Sequence, residues 1–318
     1  MVRTGDERFS VPLYTLSGAA RALDVPTSTF ATWALGYKRT PPGRPKVTGE
    51  PVVTAFRNRD GRRSPIVPFV GLVEGMVLAA IRKRGVPLQR IRPALKVLTE
   101  NIGLEHALAS RALYTDGAEI LYDYAETIGD SPEARSARDL VVVRHGQRVF
   151  AEVVEDYLHR IQYASDGYAR LIHLPQYRRA DVLADPTRSF GQPIFRHGGA
   201  CVADALQRFW AGEDLQVVAR EFGIQVADLE DALRAAGLRL VTLAEHYGIP
   251  ADEEVADTTW LEEVGKRAWA AFMKDENIAG TMPSAWLWSD TRWLLLPDPT
   301  GFDGGRYGGS LPSKPFGH

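Results

Sequence analysis

The sequence predicts a mainly α-helical protein with small β-hairpins, and three observations support this fold class. Apolar residues recur at helical spacing in several segments, Gly and Pro separate those segments, and short β-branched runs flank turn-forming dipeptides. We expect five parts: a winged helix-turn-helix over residues 1–68, a helical region over 69–165, a second helix-turn-helix module over 166–236, an α/β segment over 237–280, and a poorly ordered Gly-, Pro- and Trp-rich tail over 281–318.

Charge is distributed unevenly along the chain. Residues 1–100 carry seventeen Lys and Arg against seven Asp and Glu, a formal charge of +10, whereas the remaining 218 residues sum to −12. The whole-chain charge of −2 therefore conceals a basic end joined to an acidic remainder. Such asymmetry indicates that the basic end binds a polyanion.

A helix-turn-helix is predicted within this basic end. Tyr14–Leu23 repeats apolar residues at helical spacing, with Ser17 as the predicted N-cap, and Asp24–Pro26 forms a turn. Thr27–Trp33 then opens a second helix, because Pro26 stands where a missing N–H costs nothing. Positions on this helix and just after it are the candidate DNA contacts: Thr27, Ser28, Thr29, Thr32, Trp33, Tyr37, Lys38 and Arg39.

The next segment predicts a wing. Pro51–Arg57 and Arg63–Phe69 resemble two strands, and they flank the turn-forming dipeptide Asp60-Gly61. Four arginines at the tip are candidate contacts to the sugar-phosphate backbone: Arg57, Arg59, Arg62 and Arg63. The alternative is a solvated basic hairpin in a structural module. Because charge, helix pair and hairpin coincide, we favour double-stranded DNA as the ligand.

Two apolar helices are predicted after the wing. The first, Phe69–Arg84, ends in three cations that suit the C-terminal end of a helix dipole, and the second covers Pro87–Leu98. A small hairpin over Leu140–Phe150 and a helix over Glu152–Gln162 follow.

A second helix-turn-helix is predicted from three helices near residues 201–211, 214–222 and 226–236. The last of them is the nominal recognition helix, yet it carries Asp228, Glu230 and Asp231 against Arg234. The helix is expected to display these acids, and such a surface repels phosphate. We therefore expect this module to bind protein or to dimerise rather than to bind DNA.

These residues resemble known families. The motif Tyr14-Thr-Leu-Ser-x-Ala-Ala-Arg-x-Leu-x-Val-Pro-x-Ser-Thr-x-x-x-Trp33, followed by the arginine hairpin, resembles the MerR-type winged helix. Residues 185–204 and 208–224 are similar to the small helix-turn-helix family found in VapB-like antitoxins. Together, over residues 9–236, the chain resembles VapB antitoxins of VapBC systems. The resemblance implies an antitoxin that represses its own operator and binds a PIN-domain ribonuclease toxin. The likeness to MerR-type proteins also implies that the helices after the wing, over residues 69–165, form the contacts of a homodimer.

The segment over 237–280 resembles the middle of such a PIN-domain toxin. A strand near Leu238–Leu243, an acidic helix over Ala251–Gly265 and a strand over Ala268–Asp275 carry this likeness. The resemblance implies that the acids matching the Mg²⁺ or Mn²⁺ site of PIN nucleases are Asp252, Glu254, Asp257 and Asp275. The first strand and the first catalytic Asp of that family have no counterpart, and the likeness ends after Ile278. We therefore expect a fused, inactive fragment, no enzyme activity and no cofactor, with a metal required only if the fragment is active.

Other chemistry is sparse in the sequence. Cys201 is the single cysteine, so no intramolecular disulfide can form. The spacing of four residues between His197 and Cys201 is compatible with two zinc ligands, but the nearby sequence offers no further ligand, so we expect no metal site there. No run approaches the about 20 apolar residues that span a bilayer, so we expect a cytoplasmic protein without membrane contact. Two alternatives remain open: a MerR-like ligand-responsive regulator without a toxin partner, and a hybrid with residual metal-dependent ribonuclease activity.

Overall fold

The computed structural model describes residues 6–40, 47–56, 64–88, 91–92, 95, 105–144, 147–249, 251–267, 270–272 and 293–295. About half of the structure is helical and the sheets are small, as the predicted fold class requires. The chain forms two compact units. The first comprises Met1–Gln176 with Leu183–Pro193, and the second comprises Tyr177–Val182 with Ile194–His318.

The first unit contains the predicted helix-turn-helix and the long apolar helix. Its helices are α1 (Glu7–Ser10), α2 (Leu16–Ala22), α3 (Thr27–Leu35), α4 (Phe69–Lys83), α5 (Arg111–Ile128), α6 (Pro132–Leu140) and α7 (Glu152–His159). The residues described between 88 and 95 are also helical, in agreement with the second helix predicted after the wing. Short 3₁₀ turns occur at Ala107–Ala109 and Ser189–Gly191.

Helix α4 forms the core of the first unit, because it is buried along its length from Phe69 to Ile81. Two glycines of α4 allow other segments to approach closely. A Cβ at Gly75 would lie 2.6 Å from the ring of Phe30 and 2.9 Å from Leu23, and a Cβ at Gly71 would collide with the carbonyl oxygen of Thr54. The helix-turn-helix and the segment after it therefore pack directly on the α4 backbone.

The strands of the first unit form short antiparallel pairs. Three of them are β1 (Pro12–Tyr14) with β4 (Val67–Pro68), β2 (Tyr37–Arg39) with β3 (Val47–Gly49), and β5 (Val141–Arg144) with β6 (Gln147–Phe150). In addition, β8 (Ala169–His173) pairs with β7 (Ile161–Tyr163) on one side and with β9 (Val182–Ala184) on the other. Of β9, Leu183 and Ala184 belong to the first unit. The β5–β6 pair confirms the hairpin predicted over Leu140–Phe150.

A β-hairpin precedes the segment in which the sequence predicts the wing. The β2–β3 hairpin directly follows α3, whereas the described parts of Pro51–Arg57 and Arg63–Phe69 share one backbone hydrogen bond, from the amide of Phe56 to the carbonyl of Ile66 at 2.7 Å. The amides of Val52 and Val53 are not available for a ladder, because they bind the carbonyl oxygen of Trp33 at the end of α3. The predicted strand pairing over 51–69 is therefore wrong for the described residues.

The second unit contains the predicted three-helix module and the C-terminal segment. Its elements are β10 (Ile194–Phe195), α8 (Val202–Trp210), α9 (Leu215–Phe222), α10 (Val226–Ala235), β11 (Leu240–Thr242), α11 (Leu243–Tyr247), α12 (Ala251–Glu254), α13 (Asp257–Lys266), β12 (Ala270–Phe272) and β13 (Trp293–Leu295). Helices α8 to α10 confirm the three predicted helices. Gly223 ends α9 in the left-handed conformation, as the sequence indicates.

The C-terminal segment departs from the prediction in two ways. The predicted acidic helix over Ala251–Gly265 is divided into α12 and α13, with Val255 and Ala256 outside both helices. Strand β13 lies between β11 and β12 and pairs antiparallel with each of them, although the tail over 281–318 was expected to lack order. Three residues are too few to show a period, so local patterns could not predict this strand.

No helix within the described ranges is long and apolar enough to cross a membrane.

The close approach at Gly71 predicts the effect of a single methyl group. Gly71→Ala should lower the free energy of unfolding by about 1–3 kcal/mol, because the new Cβ collides with the rigid backbone carbonyl of Thr54. Helix propensity alone favours Ala by about 1 kcal/mol, so the expected change has the opposite sign. Urea denaturation followed by circular dichroism measures this difference, and a stabilised variant would show that the approach is looser than described.

Candidate nucleic-acid interface

Helices α2 and α3 form the helix-turn-helix. The hydroxyl oxygen of Thr15 accepts a hydrogen bond from the amide of Gly18 at 3.0 Å, so Thr15 caps α2 and the predicted cap at Ser17 is wrong. Asp24 forms the turn with φ of +54°, a conformation that Asp tolerates better than most residues. The capped helix and the tight turn set the direction in which α3 leaves α2.

The hydroxyl side chains predicted to contact DNA differ in exposure. Thr27 and Ser28 are exposed in the first turn of α3, whereas Thr29 and Thr32 are half-buried. The hydroxyl of Thr32 donates to the carbonyl oxygen of Ser28 at 2.9 Å. The structure therefore brings two of the four predicted hydroxyls, those of Thr27 and Ser28, fully to the surface.

Trp33 belongs to the core and not to the DNA-facing surface. Its side chain is 2% exposed and lies 6.2 Å from Phe30, measured between ring centroids. Phe30, Trp33 and Ala34 share the buried face of α3. A buried indole cannot reach a base edge, so this predicted contact is corrected. The spacing of three residues between Phe30 and Trp33 is the sequence signal that indicates the shared face.

The β2–β3 hairpin begins one residue after α3 and carries a basic side chain. Lys38 is exposed, and Tyr37 is half-buried with the guanidinium of Arg92 5.5 Å from its ring centroid. Arg92 also donates to the carbonyl oxygen of Glu50 at 2.8 and 3.1 Å. Gly49 permits this packing, because a Cβ there would collide with the Tyr37 ring. Arg92 was not among the predicted DNA contacts, and it lies 42 residues from Glu50 in the chain.

Several predicted contacts lie outside the described residues. These are Arg57, Arg59, Arg62 and Arg63, and the side chain of Arg39, whose backbone forms part of β2. Their roles stay predictions.

A buried polar cluster holds the segment between β3 and β4. Glu74 is 5% exposed on α4 and accepts a hydrogen bond from the amide of Thr54 at 2.6 Å. Its other oxygen lies 2.9 Å from Nδ1 of His106, and that nitrogen lies 3.0 Å from the Thr54 hydroxyl. Burial alone lowers the pKa of His106, but the hydrogen bond and charge of Glu74, together with Glu105, outweigh burial and raise that pKa. In the sequence, Glu74 is the one charged residue in the apolar run 69–81, and a charge at such a position indicates that polar partners surround it.

The acids of the second module are not displayed on its surface. Asp231 is 5% exposed and Glu230 is 9% exposed, and Asp228 is half-buried. Burial raises the pKa of Glu230 to about 7, with a further contribution from Glu245 that Arg234 opposes. The expectation that this helix presents three acids to a partner is therefore wrong, and so is the argument that they repel phosphate. The side chains turn inward because the module packs on that face of α10.

Of the four acids implied by the likeness to PIN nucleases, the structure describes the side chain of one, Glu254. Glu254 is exposed, and Asp252 and Asp257 belong to α12 and α13, whereas Asp275 lies outside the described residues. His197 is exposed, and Cys201 is half-buried before α8. Among the described residues, no three His, Cys, Asp or Glu side chains come together as a set that could hold a metal ion.

Comparison with known proteins agrees with the first helix pair. A family model described as "Putative DNA-binding HTH domain" matches residues 12–95, so the chain contains a helix-turn-helix domain of a DNA-binding class. The chain is 50% identical over 229 residues to the "Putative antitoxin VapB45" of Mycobacterium tuberculosis, which covers 72% of this chain and 95% of that protein. The chain belongs to the VapB45 antitoxin family.

Two further similarities concern the same organism. The X-ray crystal structure of Rv2018 from Mycobacterium tuberculosis matches with a TM-score of 0.63 and 46% identity, covering 71% of this chain and 99% of that one. The "Putative ribonuclease VapC45" is 34% identical over 65 residues, which are 20% of this chain and 47% of that protein. The predicted resemblance to VapB-like antitoxins is confirmed at the level of the family. The MerR-type and PIN-fragment assignments stay predictions.

The pKa of His106 predicts a pH dependence of stability. A histidine whose pKa is raised by folding stabilises the fold fully below its unfolded pKa, and this contribution is lost as the pH rises through the folded value. The free energy of unfolding should therefore fall more between pH 6 and pH 8 in the wild type than in His106→Asn. Burial raises the pKa of Glu230 to about 7, so this carboxyl titrates over the same pH range in both proteins. The difference between the two pH dependences therefore isolates the contribution of His106. The exposed His159 provides the matched control, and an equal effect of His159→Asn would contradict the assignment.

Proposed function

We propose that this chain is an antitoxin and a DNA-binding transcriptional autorepressor that binds a PIN-type ribonuclease toxin. The observation that carries the proposal is the 50% identity to the antitoxin VapB45 along 95% of that protein. The match to the DNA-binding family model coincides with the segment that contains α2, α3 and the β2–β3 hairpin. We further propose that the DNA is the operator of the chain's own gene.

In this proposal α3 reads the operator and the basic side chains bind phosphates. Thr27 and Ser28 are exposed where a recognition helix contacts base edges, which supports a sequence-specific role. Lys38 is exposed on the adjacent hairpin and carries the charge that phosphate contacts need. Arg62 and Arg63 stay candidates for backbone contacts, and we assign them the sequence-independent part of the affinity.

We also propose that the chain forms a homodimer. Many helix-turn-helix proteins bind DNA as two-fold symmetric dimers, in which each protomer contacts one half-site of the operator. Light scattering of the purified protein measures the mass directly. A monomer at the concentration that saturates the operator would contradict this part of the proposal.

Substitutions should separate specific from non-specific DNA binding. Lys38→Ala and the pair Arg62→Ala and Arg63→Ala should weaken binding to every sequence, and each lost phosphate contact should reduce the salt slope by about one. Ser28→Ala should weaken operator binding by about tenfold and leave random DNA unchanged. Thr32→Ala is the control, because the Thr32 hydroxyl already donates to a backbone carbonyl. Mobility shifts at two salt concentrations test this, and equal losses on operator and random DNA for all variants would contradict the assignment.

An exposed aromatic side chain in the first unit supports a protein partner. Phe190 is 84% exposed and has φ of +52°, in the left-handed region that costs about 1–2 kcal/mol for a non-glycine residue. Its loop is held in place, because the buried carboxylate of Asp185 accepts hydrogen bonds from the amide and hydroxyl of Thr187 at 2.9 and 2.6 Å. Tyr14 donates to the carbonyl oxygen of Gly191 at 2.7 Å.

Exposed, strained and well-supported aromatic residues are typical of binding sites. We therefore assign Phe190 as an anchor for the toxin.

The toxin contact is tested with Phe190→Asn, because Asn tolerates the left-handed conformation and removes the ring. The affinity for the proposed PIN-domain toxin should fall at least tenfold, while operator binding stays unchanged. Ile249→Asn is the matched control, since Ile249 is an apolar residue with 81% exposure in the second unit. Titration calorimetry measures both variants. Unchanged toxin affinity of Phe190→Asn would remove Phe190 from the interface.

The proposal involves binding without catalysis. The likeness to VapC45 spans 47% of that protein, and Glu254, one of the implied metal ligands, is exposed on α12. We therefore propose no enzyme activity and no cofactor, and Mg²⁺ or Mn²⁺ would be required only by an active fragment. Mg²⁺-dependent cleavage of RNA by the purified chain that is lost in Asp275→Ala would overturn this part of the proposal.

A further inference from the structure

A rigid loop in the second unit presents two arginines. The carboxylate oxygen Oδ2 of Asp231 accepts three backbone hydrogen bonds, from the amides of Arg178, Arg179 and Ala180 at 2.7, 2.8 and 3.0 Å. Asp231 is buried, whereas the side chains of Arg178 and Arg179 are exposed. Hydrogen bonds to a charged acceptor are stronger than neutral ones, so this loop keeps its shape without using either guanidinium.

A second loop, which carries Arg196 and His197, is hydrogen-bonded to the first loop. The amide of Arg196 donates to the carbonyl oxygen of Asp181 at 2.8 Å, and its guanidinium lies 3.0 Å from the Asp181 carboxylate. Arg196 is 54% exposed and the next residue, His197, is also exposed. Gly198 lies against the turn between α9 and α10, because a Cβ there would collide with the carbonyl oxygen of Phe222. The two loops therefore lie beside the turn of the second helix-turn-helix.

We name Arg178, Arg179, Arg196 and His197 the basic patch. The acids near it are Asp181, which pairs with Arg196, Asp228, which is half-buried in the first turn of α10, and the buried Glu230, whose charge interacts with Arg179. Asp231 and Glu230, which the sequence places on the same helix, point into the protein and do not face a ligand. The exposed charge of the patch is therefore positive, although the second unit as a whole comes from the acidic part of the chain.

We infer that the basic patch binds the phosphate backbone of double-stranded DNA. A fixed backbone holds Arg178 and Arg179 beside a helix-turn-helix, and arginines in a fixed position bind phosphate oxygens through paired N–H donors. The contact is independent of sequence, because guanidinium groups that bind phosphate oxygens do not read the bases. The chain then contacts DNA through two modules, of which α3 provides specificity. The choice of DNA as the polyanion rests on the proposed function.

The experiment measures binding of the full chain to a random-sequence duplex by fluorescence anisotropy across a series of KCl concentrations. Arg178→Ala combined with Arg179→Ala removes two cations but keeps the amides that bind Asp231. The slope of log affinity against log salt should become shallower by about two, and the affinity at low salt should fall about tenfold or more. The matched control is Arg239→Ala combined with Lys266→Ala, which removes the same charge from exposed positions of the same unit.

Four outcomes would contradict the inference. An unchanged slope in the Arg178 and Arg179 variant, or an equal change in the control, would overturn it. Arg178→Lys combined with Arg179→Lys should restore the slope, and a failure to do so would indicate a structural role for the guanidinium groups instead of a phosphate contact. Tighter binding of single-stranded RNA than of the duplex, lost in the same alanine variant, would also overturn it.

The failure of the proposed function is a separate result. If the wild type does not distinguish its operator from random DNA, the proposal of an operator-reading repressor fails. The slopes on the random duplex still decide whether the basic patch contacts DNA.

Discussion

The carboxylate of Glu74 lies in the apolar part of α4, from Phe69 to Ile81, and the groups that bind this carboxylate determine how the segments around the helix-turn-helix are arranged. A buried carboxylate is destabilising by several kcal/mol unless hydrogen bonds replace its water. Glu74 obtains them from the amide of Thr54 and from His106. The chain after α3 must therefore return to α4 at residue 54, and Gly71 leaves room for its backbone.

The return of the chain to α4 at Thr54 also determines how α3 ends and where the β2–β3 hairpin forms. Val52 and Val53, just before Thr54, donate their amides to the carbonyl oxygen of Trp33 in the last turn of α3. Backbone groups that serve as this cap cannot also form a strand ladder. The nearest residues available for pairing are those of β2 and β3, so the hairpin with Lys38 lies directly beside α3. The position of the basic hairpin follows from hydrogen bonds in the interior of the unit.

The second unit uses a buried carboxylate in a similar way. Asp231 binds three consecutive amides of the loop that carries Arg178 and Arg179. An acid that looks like part of a repulsive surface in the sequence thus supports a loop with exposed cations. Its neighbour Glu230 is also buried, and burial raises the pKa of Glu230 to about 7. Counting charges along a helix fails here, because burial decides which of them a ligand meets.

The sequence by itself determined the features that depend on neighbours in the chain. Periodicity, proline and glycine located α2, α3, α4 and α8 to α10, and the exposed hydroxyls of Thr27 and Ser28, because helices form from contacts three and four residues apart. Only the tertiary structure decided which strands pair, that β13 separates β11 from β12, that Trp33 is buried, and which acids face inward. These features depend on hydrogen bonds and packing between residues far apart in the chain, such as Thr54 with Glu74 and Arg178 with Asp231, and local patterns carry no record of such partners.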